Sequence, residues 1–395
     1  MRKLFYLIPL AAVINLSCNK DEEEQYTAIV DPYESIKAAF GNTIDPGNLA
    51  NYASQAIPAY VVLDNSGPNP VTNEGATLGR VLFYDKNMSV NNTVACSGCH
   101  MQANAFSDAG LASNGVNGTT ARHSMRLVNI RFSEETKFFW NERALTLEMQ
   151  TTMPVKDHGE MGFSGENGDA SFDDLIVKLN GIGYYRELFK LVYGTEEITE
   201  QKIQLAMAQF IRSIQSFDSK YDAARAVAPG DGPPFPAFTM QENQGKNLFL
   251  TPPAFNANGV RTGGGVGCAG CHRPPNFDID PASKNNGLIT ILNGTGTDTG
   301  NTRAPSLRDL VRPDGALNGP LMHTGEFESL NAVLDHYNSI TVAGNDNLDQ
   351  RLMPAGAGQQ LNLTATEANA LIAFLKTLSG NNIYTDVKWS DPFLH

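Results

Sequence analysis

Two stretches, VACSGCHMQ and VGCAGCHRP, constrain this chain more than anything else in it. Each sets a Cys-x-x-Cys pair directly against a histidine: Cys96, Cys99 and His100 in one, Cys268, Cys271 and His272 in the other. The chain has five cysteines, so four are committed to this pattern. Disulfides would suit an oxidising compartment. A four-cysteine zinc site normally keeps its pairs much closer in sequence. Neither alternative asks for a histidine at the next position, twice. Covalent haem attachment does, because the two thiols form thioethers to the haem and the adjacent imidazole turns onto the iron. The sequence therefore predicts two haem c groups, with His100 and His272 as proximal ligands.

The N-terminus indicates where such chemistry takes place. MRK is a charged start, LFYLIPLAAVI is an apolar run too short to span a bilayer, and NLSC closes it at Cys18. Plain secretion would need no cysteine there, so residues 1–18 are expected to be a lipoprotein signal peptide with Cys18 lipidated. Residues 19–48, opening with NKDEEEQ, are expected to be a solvated tether. The expected location is the periplasm, anchored by lipid to the outer membrane, and the acids behind Cys18 resemble a surface-export tag. With 42 acidic against 29 basic side chains and a net charge of −13, the chain lacks the basic face that nucleic acid requires. It suits a basic protein partner instead.

At 395 residues the chain has room for two cores, and it repeats itself. GRVLF (79–83) precedes the first haem motif and GKNLF (245–249) the second; RHSMRL and RAPSLR follow them in the same order. Apolar residues at helical spacing mark 198–217, opened by Thr199, and 363–380, with a Thr-x-x-Glu capping box and a stop at Gly380. Alternating strand patterns are few. The expected fold is mainly α and loop-rich: two cytochrome c-like helical domains, each with one covalent haem c. They would span 49–228 and 241–395, joined by a Pro/Gly-rich linker at 229–240.

The two distal sides differ. In the second half, SLNAVLDHYN places Leu330, Val333, Leu334 and Tyr337 on one helical face. Tyr337 is either a core aromatic or a phenolic sixth ligand. Met322 competes for that place, since thioether ligation raises a haem potential. His323 and His336 are further candidates that read more simply as hydrogen-bonded residues. In the first half no Tyr or His stands at the matching spot. Gln150 and Glu160 do lie nearby, and a carboxylate there can move a proton between the oxygens of peroxide while an amide orients it. On composition alone both would be solvated polar residues. Trp140 is either core or an aromatic bridge for electrons.

LGRVLFYD, CSGCH, FFWNERALTLEMQ, GEMGF, GCAGCH, RAPSLRDL and MHTGEF together resemble the bacterial di-haem cytochrome c peroxidases and the related methylamine-utilisation enzymes, over about residues 50–380. The resemblance implies a low-potential, peroxide-binding first haem with Gln150 and Glu160 around the substrate. It implies Trp140 between the haems, and a second haem fed single electrons by a small cytochrome c or a copper protein. Homodimers are a family expectation. Classical members carry a distal His in the loop after the first motif, and none lies between His100 and His123 here. The interdomain calcium of the family uses an Asn where this chain has His123, which is open as a structural residue or a replacement ligand. Tyr337 falls where classical members place Met and methylamine-type members place Tyr. The expected activity is peroxide reduction, with oxidation of a protein substrate or simple lipid-anchored electron transfer as the alternatives.

Overall fold

Glycine placement explains how each half is built. Gly79 in the first half and Gly245 in the second sit where two helices cross. A Cβ at Gly79 would collide with the backbone of Ala206, and one at Gly245 with the backbone of Ala370. Phe210 and Phe374 pack beside the respective crossings. The internal repeat is thus a structural repeat: a glycine that lets two backbones approach, with the partner Ala and Phe at matching positions.

The computed structural model describes Met1 and residues 31–134, 137–278 and 283–394. The expected signal peptide beyond Met1, Cys18 and most of the tether lie outside the described residues. The first half holds α1 (Glu34–Phe40), α2 (Asn73–Tyr84), α3 (Cys96–Cys99) and α4 (Leu147–Thr152). It continues through α5 (Phe172–Asn180), α6 (Gly183–Tyr193), α7 (Glu200–Ser213) and α8 (Lys220–Arg225). The second half holds α9 (Met240–Leu250), α10 (Leu330–Asn338) and α11 (Ala365–Lys376), with a short antiparallel pair, β1 (Pro253–Phe255) and β2 (Arg261–Gly264). Long loops join them, as expected for a mainly helical, loop-rich chain.

Helix α2 crosses α7, and α9 crosses α11. Leu78, Val81 and Leu82 of α2 are buried in one core with Ile203, Ala206 and Met207 of α7. Leu248 and Phe249 are buried with Ala370, Leu371 and Phe374 in the other. The caps are local and legible. Thr199 accepts from Lys202 N at the start of α7, and Thr364 and Glu367 form a reciprocal capping box on α11.

Both long helices are shorter than their apolar patterns. Helix α7 stops at Ser213, where Asn129 captures the next residues: its N–H donates to Ile214 O at 3.0 Å, and its side chain accepts from Ser216 N at 2.8 Å. A tertiary clamp overrides the helical pattern. Helix α11 ends at Lys376, and its capping Thr377 donates back to Phe374 O at 2.7 Å.

Tyr33 to His395 form one compact unit, and two straps explain why the halves do not part. The residue after each crossing glycine is a buried cation. Lys246, 1% exposed, donates to carbonyls of the linker, Pro233 O at 2.7 Å and Asp231 O. Arg80, 4% exposed, donates to Ser390 O at 2.6 Å. The C-terminal segment therefore lies on the first half, where Tyr52 and Tyr84 donate to Lys388 O and Trp389 O at 2.5 and 2.6 Å. Each half is closed by the chain that leaves the other. A third tie is fully buried: Arg308 makes a two-pronged ion pair with Asp222 of α8, at 2.9 and 3.0 Å.

Candidate functional site

The two Cys-x-x-Cys-His motifs are held in the same way. After each, the chain makes a tight turn in which a phenylalanine adopts left-handed backbone, Phe106 (φ 59°) and Phe277 (φ 55°). That turn presents a carbonyl to the motif histidine. His100 Nδ1 meets Phe106 O at 3.2 Å, and His272 Nδ1 meets Phe277 O at 3.3 Å. A carbonyl can only accept, so Nδ1 carries the proton and Nε2 keeps its lone pair, the orientation a metal-bound imidazole needs. Burial pushes both imidazoles toward the neutral form, His272 down to about 4. Among the described residues, Cys96, Cys99, Cys268 and Cys271 form no disulfide.

Each motif opens onto a cavity. The first, about 190 Å³, is lined by Cys96, Cys99 and His100 together with Gln150, Glu160 and Trp140. The second, about 670 Å³, is lined by Cys268, Cys271, His272, Met322 and Tyr337. Paired thiols in no disulfide, a pre-set imidazole and an apolar hollow fit haem at both places. Gln150 and Glu160 therefore reach the first cavity, and Met322 and Tyr337 reach the second together, whereas His323 and His336 line neither.

Trp140 lines both cavities. Its Nε1 donates to His123 O at 2.6 Å, and its own carbonyl accepts from Arg303 N at 2.8 Å. His123, Ser124, Met125 and Arg303 also border both cavities, so these residues and Trp140 form the wall between them. His123 is buried with both ring nitrogens engaged, by Gly110 O at 2.9 Å and Ser107 Oγ at 3.3 Å. Of the two roles open to it, that geometry is a structural one. It does not fit calcium, a hard cation that takes oxygen ligands.

His336 is hydrogen-bonded as expected, to Asn286 O at 3.0 Å. His323 is not: it is 2% exposed, neither ring nitrogen has a hydrogen-bond partner among the described residues, and its ring lies 6.1 Å from Trp140. Burial holds it below the ordinary imidazole value. In the first cavity, burial and then Asp157 push the Glu160 carboxyl up, and Arg143 opposes them. Sequence reasoning passed over Arg143, although it stands in the same quoted motif as Trp140 and Gln150 and lines the same cavity.

Residues 73–228 match the family model of the di-haem cytochrome c peroxidases. The methylamine utilization protein MauG of Methylophilus methylotrophus is 30% identical over 326 residues, covering 79% of this chain and 84% of its own. The chain belongs to the di-haem cytochrome c peroxidase family. Its relatives in that family are divided by name. The cytochrome-c peroxidase IdrP1 of Pseudomonas sp. (strain SCT) is 27% identical over 366 residues, covering 83% of this chain and 84% of its own. Among solved structures, a MauG-like protein associated with microbial copper homeostasis superposes with a TM-score of 0.64 at 28% identity, over 86% of this chain and 99% of that one. A variant of the diheme peroxidase BthA from Burkholderia thailandensis shares the fold, with a TM-score of 0.60 at 21% identity over 84% and 90%. Haem is the cofactor of this family, and its members are oxidoreductases, peroxidases on one side and MauG on the other.

Proposed function

We propose that this chain reduces hydrogen peroxide to water in the first cavity, using single electrons that enter at the second from a small cytochrome c or a copper protein. One observation carries the reading. Gln150 and Glu160 gather around the Cys96–Cys99–His100 motif, and Trp140 lies on the walls of both cavities. Haem held through Cys96, Cys99 and His100, and a second through Cys268, Cys271 and His272, would supply the electron storage and the reactive metal.

The residues of the chain supply the rest. One peroxide, two electrons and two protons give two waters. Glu160 takes a proton from one peroxide oxygen and returns it to the other, which makes the departing oxygen a better leaving group. Gln150 hydrogen-bonds the substrate and orients it. Trp140 offers an aromatic path through the wall. The halves, 49–228 and 241–395, divide the labour between peroxide chemistry and electron entry. Either Tyr337 or Met322 completes the second site. A lipid at Cys18 would tether the protein in the periplasm, facing soluble donors, and the working form would be a homodimer.

Glu160→Gln is the test. It keeps size and hydrogen bonding and removes the proton acceptor, so turnover is expected to fall by about 10² or more, with both haem spectra retained. Unchanged turnover would dismiss Glu160 and this reading together.

A second reading is supported by Tyr337 on the second cavity and by the MauG relative. On this reading the chain uses peroxide to oxidise a protein substrate. A steady-state assay with reduced cytochrome c separates them, since rapid oxidation supports the peroxidase and negligible oxidation the protein oxidase. A lipid-anchored carrier without catalysis would show neither haem band shifting with cyanide.

A further inference from the structure

The turn that carries Trp140 carries a second group into the first cavity. Phe138 N donates to Ala144 O at 2.8 Å, closing the turn, and inside it Phe139 (φ 67°) and Glu142 (φ 59°) are both left-handed without being glycine. Such backbone persists only where the surroundings enforce it, and it concentrates at functional sites. Here it holds the Arg143 guanidinium 3.5 Å from the centre of the Phe139 ring, with one N–H donated to Asn141 Oδ1 at 3.1 Å. A planar cation stacked in this way is fixed in place. Among the described residues no carboxylate pairs with Arg143 directly, yet it lines the same cavity as Glu160 and Gln150.

Glu160 is placed as firmly by its own loop. Its loop presses on Gly115, where a Cβ would collide with Gly159 O, and turns at Gly162 (φ +83°). Its N–H donates to Asp157 Oδ1 at 3.0 Å, so a second carboxylate stands behind it.

We propose that Arg143 is a positioning residue: a fixed cation at the first cavity that keeps Glu160 able to accept a proton. This rests on the role given to Glu160 above. Burial and Asp157 both favour the protonated carboxyl, and a carboxyl already protonated cannot take a proton from peroxide. Arg143 is the cation that opposes them. The other groups facing Glu160 are the thiols of Cys96 and Cys99 on α3, which carry no proton once joined to haem. Arg122 borders the cavity too, but it is paired with Asp298.

Fluoride binding to the oxidised holoprotein reads the proton on Glu160 without turnover, because a protonated neighbour hydrogen-bonds the bound anion. Wild-type affinity is expected to fall above one pH break, and E160Q to lose the break. R143Q is expected to move the break to higher pH, and R143K to leave it close to wild type, all with full haem content. Turnover of R143Q at the acid end should fall roughly tenfold against wild type, with an alkaline plateau within about twofold. An unmoved break in R143Q overturns the inference and leaves Glu160 in place. So does a changed first-haem potential with an unmoved break, which would assign the guanidinium to the haem carboxylates. A break that survives in E160Q, or is missing from wild type, overturns the role of Glu160 itself and this inference with it.

Discussion

Asp222→Ala should be among the costliest single changes in this protein. The Asp222 carboxylate accepts from both prongs of Arg308, at 2.9 and 3.0 Å, and from Tyr60 OH at 2.6 Å. It also accepts from the backbone and hydroxyl of Ser219, at 3.0 and 2.6 Å, as half of the capping box that starts α8. Arg308 is 0% exposed, so removing its partner leaves a buried guanidinium without a counter-charge, a loss of about 3–5 kcal/mol. The broken cap adds about 1 kcal/mol. The sum is a large part of the roughly 5–15 kcal/mol that holds a domain folded. Burial alone would push the Asp222 carboxyl up; Arg308 overrides it and holds it below the ordinary carboxylate value. A depressed carboxyl contributes stability above its unfolded value, near pH 4, and loses it as pH falls through the lower folded value. The penalty of Asp222→Ala should therefore be full at pH 7 and shrink only in strong acid. Denaturant midpoints of the holoprotein, followed by far-ultraviolet circular dichroism, measure it. The pair Asp222→Leu with Arg308→Met, which removes both charges, should cost less than Asp222→Ala alone. A single-variant cost under about 1 kcal/mol, or a double variant worse than the sum of its parts, would refute the argument.

Asp309 should show the opposite pH dependence. It is wholly buried, and burial pushes its carboxyl up to about 6. The folded protein then holds that proton more tightly than the unfolded chain, so this group costs stability above pH 6 and the cost vanishes toward pH 4. Asp309→Asn should gain about 2 kcal/mol at pH 8 and little at pH 4.5; an equal gain at both would exclude the carboxyl as its source. Gly245→Ala should cost at least about 1–3 kcal/mol, because its methyl meets the Ala370 backbone, and a melting temperature equal to wild type would show that the α9–α11 crossing can open.

Local chemistry explains what was legible in the sequence. The haem motifs, the Thr199 and Thr364 caps and the glycine-marked repeat are all short-range signals, and each appears where the spacing put it. Gln150, Glu160 and Trp140 reach their cavities, but composition alone would have left them as surface or core residues; the family pattern singled them out. What stayed hidden depends on contacts distant in sequence. No local pattern ends α7 at Ser213, because Asn129 ends it. Nothing near His323 announces that its imidazole is buried beside Trp140. Arg143 was visible in its motif, but its stack on Phe139 requires a left-handed turn built at two residues that ordinarily avoid one.

The two straps have a consequence for how the protein comes apart. Lys388, Trp389 and Ser390 offer their carbonyls to Tyr52, Tyr84 and Arg80. Loosening the segment that carries them therefore strips partners from three donors on the half it covers, so damage there is felt first around the half that carries Cys96 and Cys99.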